Sequence, residues 1–325
     1  MKVLFIGGTG IISSACSDLA LSRGIDLYHL NRGRSTQIRK VKGTKTLIAD
    51  IRNREETRKV LQGHHFDVVV DWVAFTADHI KTDIELFAGK TDQYIFISSA
   101  SAYQTPPEKL PVTEETPLDN PYWQYSRDKI ECEKVLQEEY QKNGFPYTIV
   151  RPSHTYDKTL IPMIGGYTAF HRMRQGRPVV LHGDGTSIWT LTHHKDFALG
   201  FNGLFGKTEA INESFHITSD EWLTWNRIYR TIAGELGVEP QLVHVPSRII
   251  AQYDKEIGDG LWGDKAHSMI FDNAKIKSLV PDFQANIPFS QGVKEIVGWY
   301  RENPSTEKFN AQVDSVMDRI IRNYS

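Results

Sequence analysis

One run of glycines, set between a short apolar segment and a helical pattern, constrains this chain more than any other feature. Val3-Leu4-Phe5-Ile6 reads as a buried strand, Gly7-Gly8-Thr9-Gly10 follows without a break, and Ile11 to Arg23 has the spacing of a helix that Gly24 stops. Gly7 permits a tight turn, and Gly10 lets backbone approach a pyrophosphate. The helix start offers free N–H groups at a positive dipole end. Glycine is usual at the last position of such a fingerprint. Ser13 stands there instead and is expected to widen the helix–strand packing slightly.

The same rhythm continues down the chain. Leu27 to Leu30, Leu47 to Asp50, Phe66 to Val73, Tyr94 to Ser98 and Tyr147 to Val150 predict further strands. Helical spacing lies between them at Glu55 to Leu61, His79 to Phe87 and Ser126 to Asn143. Near-continuous apolar strands alternating with helices predict an α/β fold, a doubly wound parallel Rossmann sheet covered on both faces. Beyond Arg151-Pro152 the rhythm changes: the stretch from Asp157 to Gly185 is rich in Gly and Pro, and helices are predicted at Trp225 to Leu236 and Gln291 to Arg301. The expected division is a nucleotide-binding domain over 1–156, with 188–206 returning to it, and a smaller substrate lobe over 157–325.

Composition narrows the function classes. The formal charge of −2 gives no general attraction to nucleic acid or to an anionic membrane. No apolar run approaches a membrane span, and Met1 to Ile6 is too short for a signal sequence. With only Cys16 and Cys132, neither a disulfide framework nor a cysteine metal cluster can form. The expectation is a cytoplasmic protein acting on small molecules, without membrane or nucleic-acid partners. No metal is expected either, because the adjacent pairs His64-His65 and His193-His194 would diverge on a strand and no other ligand spacing accompanies them. His193 reads as a structural contact between lobes.

The second strand ends in Asn31-Arg32-Gly33-Arg34, where a fold preferring NAD usually places a carboxylate on the ribose 2′-hydroxyl. Arg32 or Arg34 would suit a 2′-phosphate, so the expectation leans to NADP over NAD; a solvated basic loop is the alternative, since Arg39, Lys40, Lys42 and Lys45 follow. Asp50-Ile51 is either an adenine contact or a helix cap.

Tyr125 and Lys129 stand four residues apart on a predicted helix and share a face. A phenol ordinarily ionises near roughly pH 10, and an adjacent ammonium favours its phenolate, which would make Tyr125 a general acid or base. An isolated pair of this kind is more often a solvated surface feature. Ser99, at the end of an upstream strand, and the glycine fingerprint give it weight.

Several motifs stand in order: Gly7 to Gly10, Asp50-Ile51, Trp72-Val73-Ala74, Ser98-Ser99-Ala100-Ser101-Ala102-Tyr103, Tyr125 to Lys129, Arg151-Pro152 and His193 to Ala198. Through them the chain resembles the extended short-chain dehydrogenase/reductases, the superfamily of NAD-dependent epimerases and dehydratases. The resemblance implies that Tyr125 transfers a proton, that Lys129 lowers its pKa and bonds the nicotinamide ribose, and that Ser99 holds the substrate oxygen. It implies dinucleotide contacts at Gly7, Thr9, Gly10, Ile11, Ile12, Asn31, Arg32, Asp50, Ile51, Val73, Ala74, Lys129 and Pro152. Ser98 and Ser101 either satisfy the strand end or line the pocket, with Ser101 placed on the substrate side. A homodimer pairing through the Tyr125 helix is implied as well.

Two departures bear on substrate. His154 stands where the family usually has asparagine, and Trp189 stands where an arginine usually grips a nucleotide diphosphate. Trp189 reads as a flat surface for a sugar ring or as core packing. The expected activity is NAD(P)-dependent oxidation, reduction or epimerisation of a sugar, sugar-derived or nucleotide-sugar hydroxyl.

A second resemblance pulls elsewhere. Phe170-His171-Arg172 through Gly176-Arg177-Pro178, with His194-Lys195-Asp196, is similar to the chloroplast stem-loop RNA-binding proteins, an atypical branch of the same fold that generally lacks an intact Tyr-x-x-x-Lys pair. Arg172, Arg174 and Arg177 read as phosphate contacts or as a solvated helix end. Thr224 is expected to cap a helix, and Gly263-Asp264-Lys265 with Ser268 to line the lobe.

Overall fold

The computed structural model describes residues 1–33, 39, 41–304 and 308–324. Its first part runs β1 (Lys2–Ile6), α1 (Ile11–Ser22), β2 (Asp26–Asn31), β3 (Lys45–Ile48), α2 (Arg54–Val60), β4 (Phe66–Asp71), α3 (Ala77–Phe87), β5 (Thr91–Ile97), α4 (Gln124–Asn143) and β6 (Tyr147–Pro152). Then come β7 (His154–Tyr156), α5 (Tyr167–Arg174), β8 (Val179–His182), β9 (Ile188–Trp189), β10 (Leu191–His193), α6 (His194–Asn202) and β11 (Glu213–Ile217). The chain continues through β12 (Leu223–Thr224), α7 (Trp225–Leu236), β13 (Leu242–Val245), α8 (Ser247–Tyr253), α9 (Lys255–Gly260), a π-turn at Leu261–Lys265, α10 (Ala274–Leu279), α11 (Phe289–Glu302) and α12 (Ala311–Tyr324).

Seven parallel strands form the central sheet in the order β11-β6-β5-β4-β1-β2-β3. Alternation along β1 explains why both faces are covered. Val3 and Phe5 pack with Cys16, Phe197 and Phe201 under α1 and α6, whereas Leu4 and Ile6 pack with Ile80, Leu86 and Leu136 under α3 and α4. Each such buried side chain contributes about 1.5–3 kcal/mol. The chain reverses direction across the sheet between β1 and β4, which opens a crevice at their carboxyl ends.

A third core builds the lobe, from α5, α7, α11, α12 and the strands at 179–193. Thr224 caps α7 by accepting the Arg227 N–H, which is the helix start read from the sequence. The 188–206 segment divides between the two cores. Trp189 and Leu191 belong to the lobe core, while β11 pairs with β6, and Ile276, Val280 and Phe283 join the core under α6. β11 was not legible as a strand because only Phe215 and Ile217 are apolar in Glu213-Ser214-Phe215-His216-Ile217. Its buried His216 is held by the Tyr103 hydroxyl at 3.0 Å and the Asp272 carbonyl at 2.7 Å.

Candidate active site

Gly7 has φ +87°, and a Cβ there would lie 2.6 Å from Val73 Cγ1. The β1–α1 turn therefore seats directly on the β4–α3 turn. Ser13 Oγ accepts the Gly10 N–H at 2.7 Å and donates to the Gly7 carbonyl at 3.2 Å, which closes the turn on itself. Thr9, Ile11 and Ile12 start α1 beside this turn, and Asn31 and exposed Arg32 end β2. Arg34 and Lys40 lie outside the described residues. The Asp71 carboxylate fixes the next turn by accepting the N–H groups of Val73 at 2.5 Å and Ala74 at 2.8 Å. Burial, with Asp71 adding to it, pushes the Asp83 carboxyl well above the ordinary range. Asp50 is not a helix cap; Asn53 caps α2, and Asp50 accepts the Arg52 N–H at 3.0 Å in a local turn next to buried Ile51. A glycine cradle and a helix N-terminus at the sheet's reversal fit a dinucleotide.

Ser99, Ser101, Tyr125, Lys129, Pro152, His154 and Trp189 line one cavity of about 370 Å³, which Ile12 reaches from the dinucleotide side. Lys129 is buried, and its Nζ donates to the carbonyl oxygens of Ala74 and Ile97, each at 2.7 Å. Burial lowers its pKa to about 8. An ammonium carries three hydrogens, so one remains for a ligand. The expected lowering of the Tyr125 pKa by Lys129 does not hold in this arrangement. Burial pushes the phenol up to about 12, against the opposing pull of a hydrogen bond with Ser99, because desolvation disfavours the phenolate and two of the ammonium's hydrogens point to carbonyls.

The neighbouring serines separate by partner. Ser98 Oγ donates to Glu133 Oε1 at 2.5 Å, within a buried network in which Arg151 pairs with Glu133 at 2.6 Å. Ser101 Oγ lies 2.8 Å from Ser99 Oγ. On the lobe side, burial takes the His154 ring to about 3, so it is neutral, and its Nε2 has no protein partner. Trp189 serves both readings: it stacks on Trp225 with ring centres 6.3 Å apart, and its unpartnered Nε1 belongs to a residue of the cavity wall. Asp264 and Lys265 also line the cavity and pair at 2.9 Å. Ser268 does not; its Oγ accepts the Ile188 N–H. Sequence reading missed Phe75, Trp123 and Thr155 in the wall, and only Trp123, two residues before Tyr125, carried a positional signal. Among the described residues no arginine lines the cavity.

The basic segment of α5 divides between a buried anchor at Arg172 and an exposed helix end at Arg174. Arg172 is fully buried and pairs with Asp314 and Asp318, each at 2.7 Å, and Arg177 reaches the same two carboxylates. Arg174 donates to the Tyr167 hydroxyl. Arg172 pins α5 to α12, Arg177 pins the turn after α5 to the same helix, and the Arg174 bond stays within α5. His193 and His194 also depart from expectation, because β10 ends and α6 begins between them. Their rings lie 4.6 Å apart, and their nitrogens and a Glu295 oxygen fall within 4.8 Å of one another. His193 Nδ1 accepts the Lys195 N–H, so its proton sits on Nε2 and is donated to Glu295 at 3.2 Å. That tautomer caps α6 and joins it to α11.

Residues 3–89 and 85–217 match the NAD dependent epimerase/dehydratase family. The chain belongs to that family. As an NAD dependent epimerase/dehydratase family protein, it is 28% identical over 256 residues to the chloroplast stem-loop binding protein of 41 kDa b from Arabidopsis thaliana, covering 75% of this chain and 65% of that protein. It is 30% identical over 169 residues to a UDP-glucose 4-epimerase from Lactobacillus helveticus, covering 46% of this chain and 51% of that one. The chain thus spans about half to two-thirds of the length of these relatives. Two solved structures share the fold. UDP-glucose 4-epimerase from Bifidobacterium longum, in complex with NAD+ and UDP, has a TM-score of 0.75 at 18% identity and covers 94% of this chain and 100% of that one. The dTDP-glucose 4,6-dehydratase from Bacillus anthracis, in complex with NAD, has a TM-score of 0.75 at 21% identity and covers 94% and 98%.

Proposed function

We propose that this family member oxidises, reduces or epimerises a sugar-like hydroxyl, with Tyr125 as the acid–base residue, Ser99 holding the reacting oxygen and Lys129 binding the dinucleotide. The observation that carries the reading is that these three side chains share one cavity reached from the dinucleotide crevice on one side and the lobe on the other. A bound nicotinamide dinucleotide supplies the hydride acceptor or donor. Tyr125 takes the carbinol proton as the C–H electron pair leaves, and returns it in the reverse direction. Ser99 fixes the substrate oxygen next to the phenol, and the free hydrogen of Lys129 is available to a ribose hydroxyl. The same three side chains serve a net redox reaction and an epimerisation.

The missing carboxylate at the end of β2, with Arg32 exposed there, supports NADP over NAD. No helix among the described residues is long and apolar enough to cross a membrane, which supports a cytoplasmic enzyme; pairing through α4 into a homodimer is checked by native mass.

For the substrate, a wall with no arginine among the described residues, carrying a neutral His154 and the three tryptophans Trp72, Trp123 and Trp189, favours a non-nucleotide sugar, sugar acid or polyol over a UDP-hexose. Relatives named as UDP-glucose 4-epimerases favour the nucleotide sugar. A panel of both classes, scored by cofactor reduction and thermal shift, decides. Tight UDP-hexose binding would overturn the non-nucleotide reading and restore a sugar-nucleotide epimerase.

A further inference from the structure

The Leu261–Lys265 π-turn brings to the cavity wall an ion pair that proton and hydride transfer do not use. Lys265 Nζ donates to Asp264 Oδ2 at 2.9 Å, and both residues stand in the wall with Ser99, Tyr125 and Lys129. The Asp264 side chain is 9% exposed and that of Lys265 23%, so the pair is held largely out of water. Among the described residues neither side chain makes a second hydrogen bond. An ammonium has three hydrogens and a carboxylate about four lone-pair sites, so both groups keep capacity for a ligand.

The backbone beneath the pair is clamped on both sides. The Lys265 carbonyl accepts hydrogen bonds from Trp225 Nε1 at 3.1 Å, Ser187 Oγ at 3.2 Å and His182 Nε2 at 3.0 Å. The Gly263 carbonyl accepts one from Asn120 Nδ2 at 2.6 Å, and a Cβ on Gly263 would lie 2.5 Å from Trp123 Cβ. Asn120 Nδ2 also donates to the Ser101 carbonyl at 2.7 Å, which ties the turn to the serine segment after β5. Single π-turns are frequent at functional sites, and this one is fixed before a ligand arrives. Two further wall residues carry unmatched buried polar atoms: Nε1 of Trp189, which is 3% exposed, and Nε2 of the neutral His154. Such atoms call for a polar ligand.

We propose that Asp264 and Lys265 are specificity-determining residues that read two neighbouring hydroxyls of an uncharged sugar or polyol and reject sugar acids. One hydroxyl donates to Asp264 while its neighbour accepts from Lys265; a carboxylate can only accept. Set against this pair, a carboxylate would leave two anions sharing one ammonium in a poorly hydrated wall. Lys129, the other cation of the wall, has given two hydrogens to carbonyls. A hydroxyl also accepts from Trp189 Nε1 and meets His154 in either tautomer. The inference rests on the reading of this cavity as a sugar site and narrows its substrate to the neutral members of that class.

The test is calorimetry on protein saturated with NADPH or NADH, whichever binds more tightly, so that no hydroxyl is oxidised during the titration. D-glucose is compared with D-glucuronate, D-galactose with D-galacturonate, and myo-inositol is added as a polyol. A neutral ring should bind at least about ten-fold more tightly than its acid partner. Asp264→Asn removes the repelling anion at nearly constant shape, so the neutral ring weakens, the acid tightens and the ratio shrinks by about ten-fold; Lys265→Met should weaken the neutral ring by a similar factor. Equal or tighter binding of the acids to the parent protein, an unchanged ratio in Asp264→Asn, or no binding of any neutral ring, free or UDP-linked, overturns the proposal. If near-ultraviolet dichroism shows Asp264→Asn to be misfolded, the parent ratio and Lys265→Met decide. Binding needs no turnover, so near-normal turnover of Tyr125→Phe would remove the catalytic reading while the ratio still reported on the pair. Tight UDP-glucose binding would remove the non-nucleotide reading, and UDP-glucose against UDP-glucuronate would then supply the same ratio.

Discussion

The Lys129 ammonium sits 5.7 Å from the centre of the Tyr125 ring and gives two of its hydrogens to the carbonyls of Ala74 and Ile97 instead of the phenol. Those carbonyls close the β4 turn and the β5 strand, so the lysine couples α4 to the floor of the dinucleotide crevice. Ser99 pulls the phenol's pKa down against the larger upward push of burial. The lysine thereby holds its charge beneath the crevice.

Tyr125→Phe removes the hydroxyl and leaves the ring in its place. Turnover should fall by roughly 10²–10⁴-fold while dinucleotide affinity persists. Ser99→Ala should impair turnover more than Ser101→Ala, because Ser99 is the residue proposed to hold the reacting oxygen and Ser101 bonds to Ser99. Steady-state kinetics with a fluorescence titration of the dinucleotide checks both, and equal losses in the two serine variants would mean that the wrong serine was chosen.

Arg32→Ala should weaken NADP binding more than NAD binding, since only NADP offers a 2′-phosphate to the guanidinium. The measured quantity is the ratio of the two dissociation constants. An unchanged ratio would leave Arg32 as a solvated loop residue and return NAD to the lead.

His29 is buried between Gly8 and Ser17, and burial lowers its pKa to about 4. The unfolded chain, with an ordinary imidazole near roughly 6.5, binds more protons than the folded protein between these values. The stability that depends on a neutral His29 is therefore complete above the unfolded value and is lost as pH falls toward 4. Urea midpoints at pH 7 and 4.5 should differ less for His29→Gln than for the parent, by about 2–3 kcal/mol. Equal differences would show that this ring is not the titrating group.

Arg172→Met should destabilise the protein by about 1–3 kcal/mol, because it removes the cation that Asp314 and Asp318 share from α5. RNA retention on a filter, measured across salt concentrations, should not change. A specific loss of RNA binding without loss of stability would favour the reading drawn from the stem-loop binding relatives.

The chain's order alone determined the sheet and the dinucleotide crevice. A glycine turn, the strand before it and the helix after it are contiguous, so their geometry is fixed by short-range sterics and hydrogen bonds that local spacing reports. The Tyr125–Lys129 spacing was legible for the same reason, as one turn of a helix. Tertiary structure decided the rest. β11 joins the sheet through Phe215 and Ile217, too short a pattern to read alone, and Arg172 finds Asp314 and Asp318 on a helix far along the chain. Asp264 and Lys265 reach the cavity from a π-turn in the lobe, and Ser126 meets Ser101 across the gap between α4 and β5. Periodicity records which side of an element is buried; which groups face one another there, and where burial moves a proton, depends on segments that only the packed fold brings together.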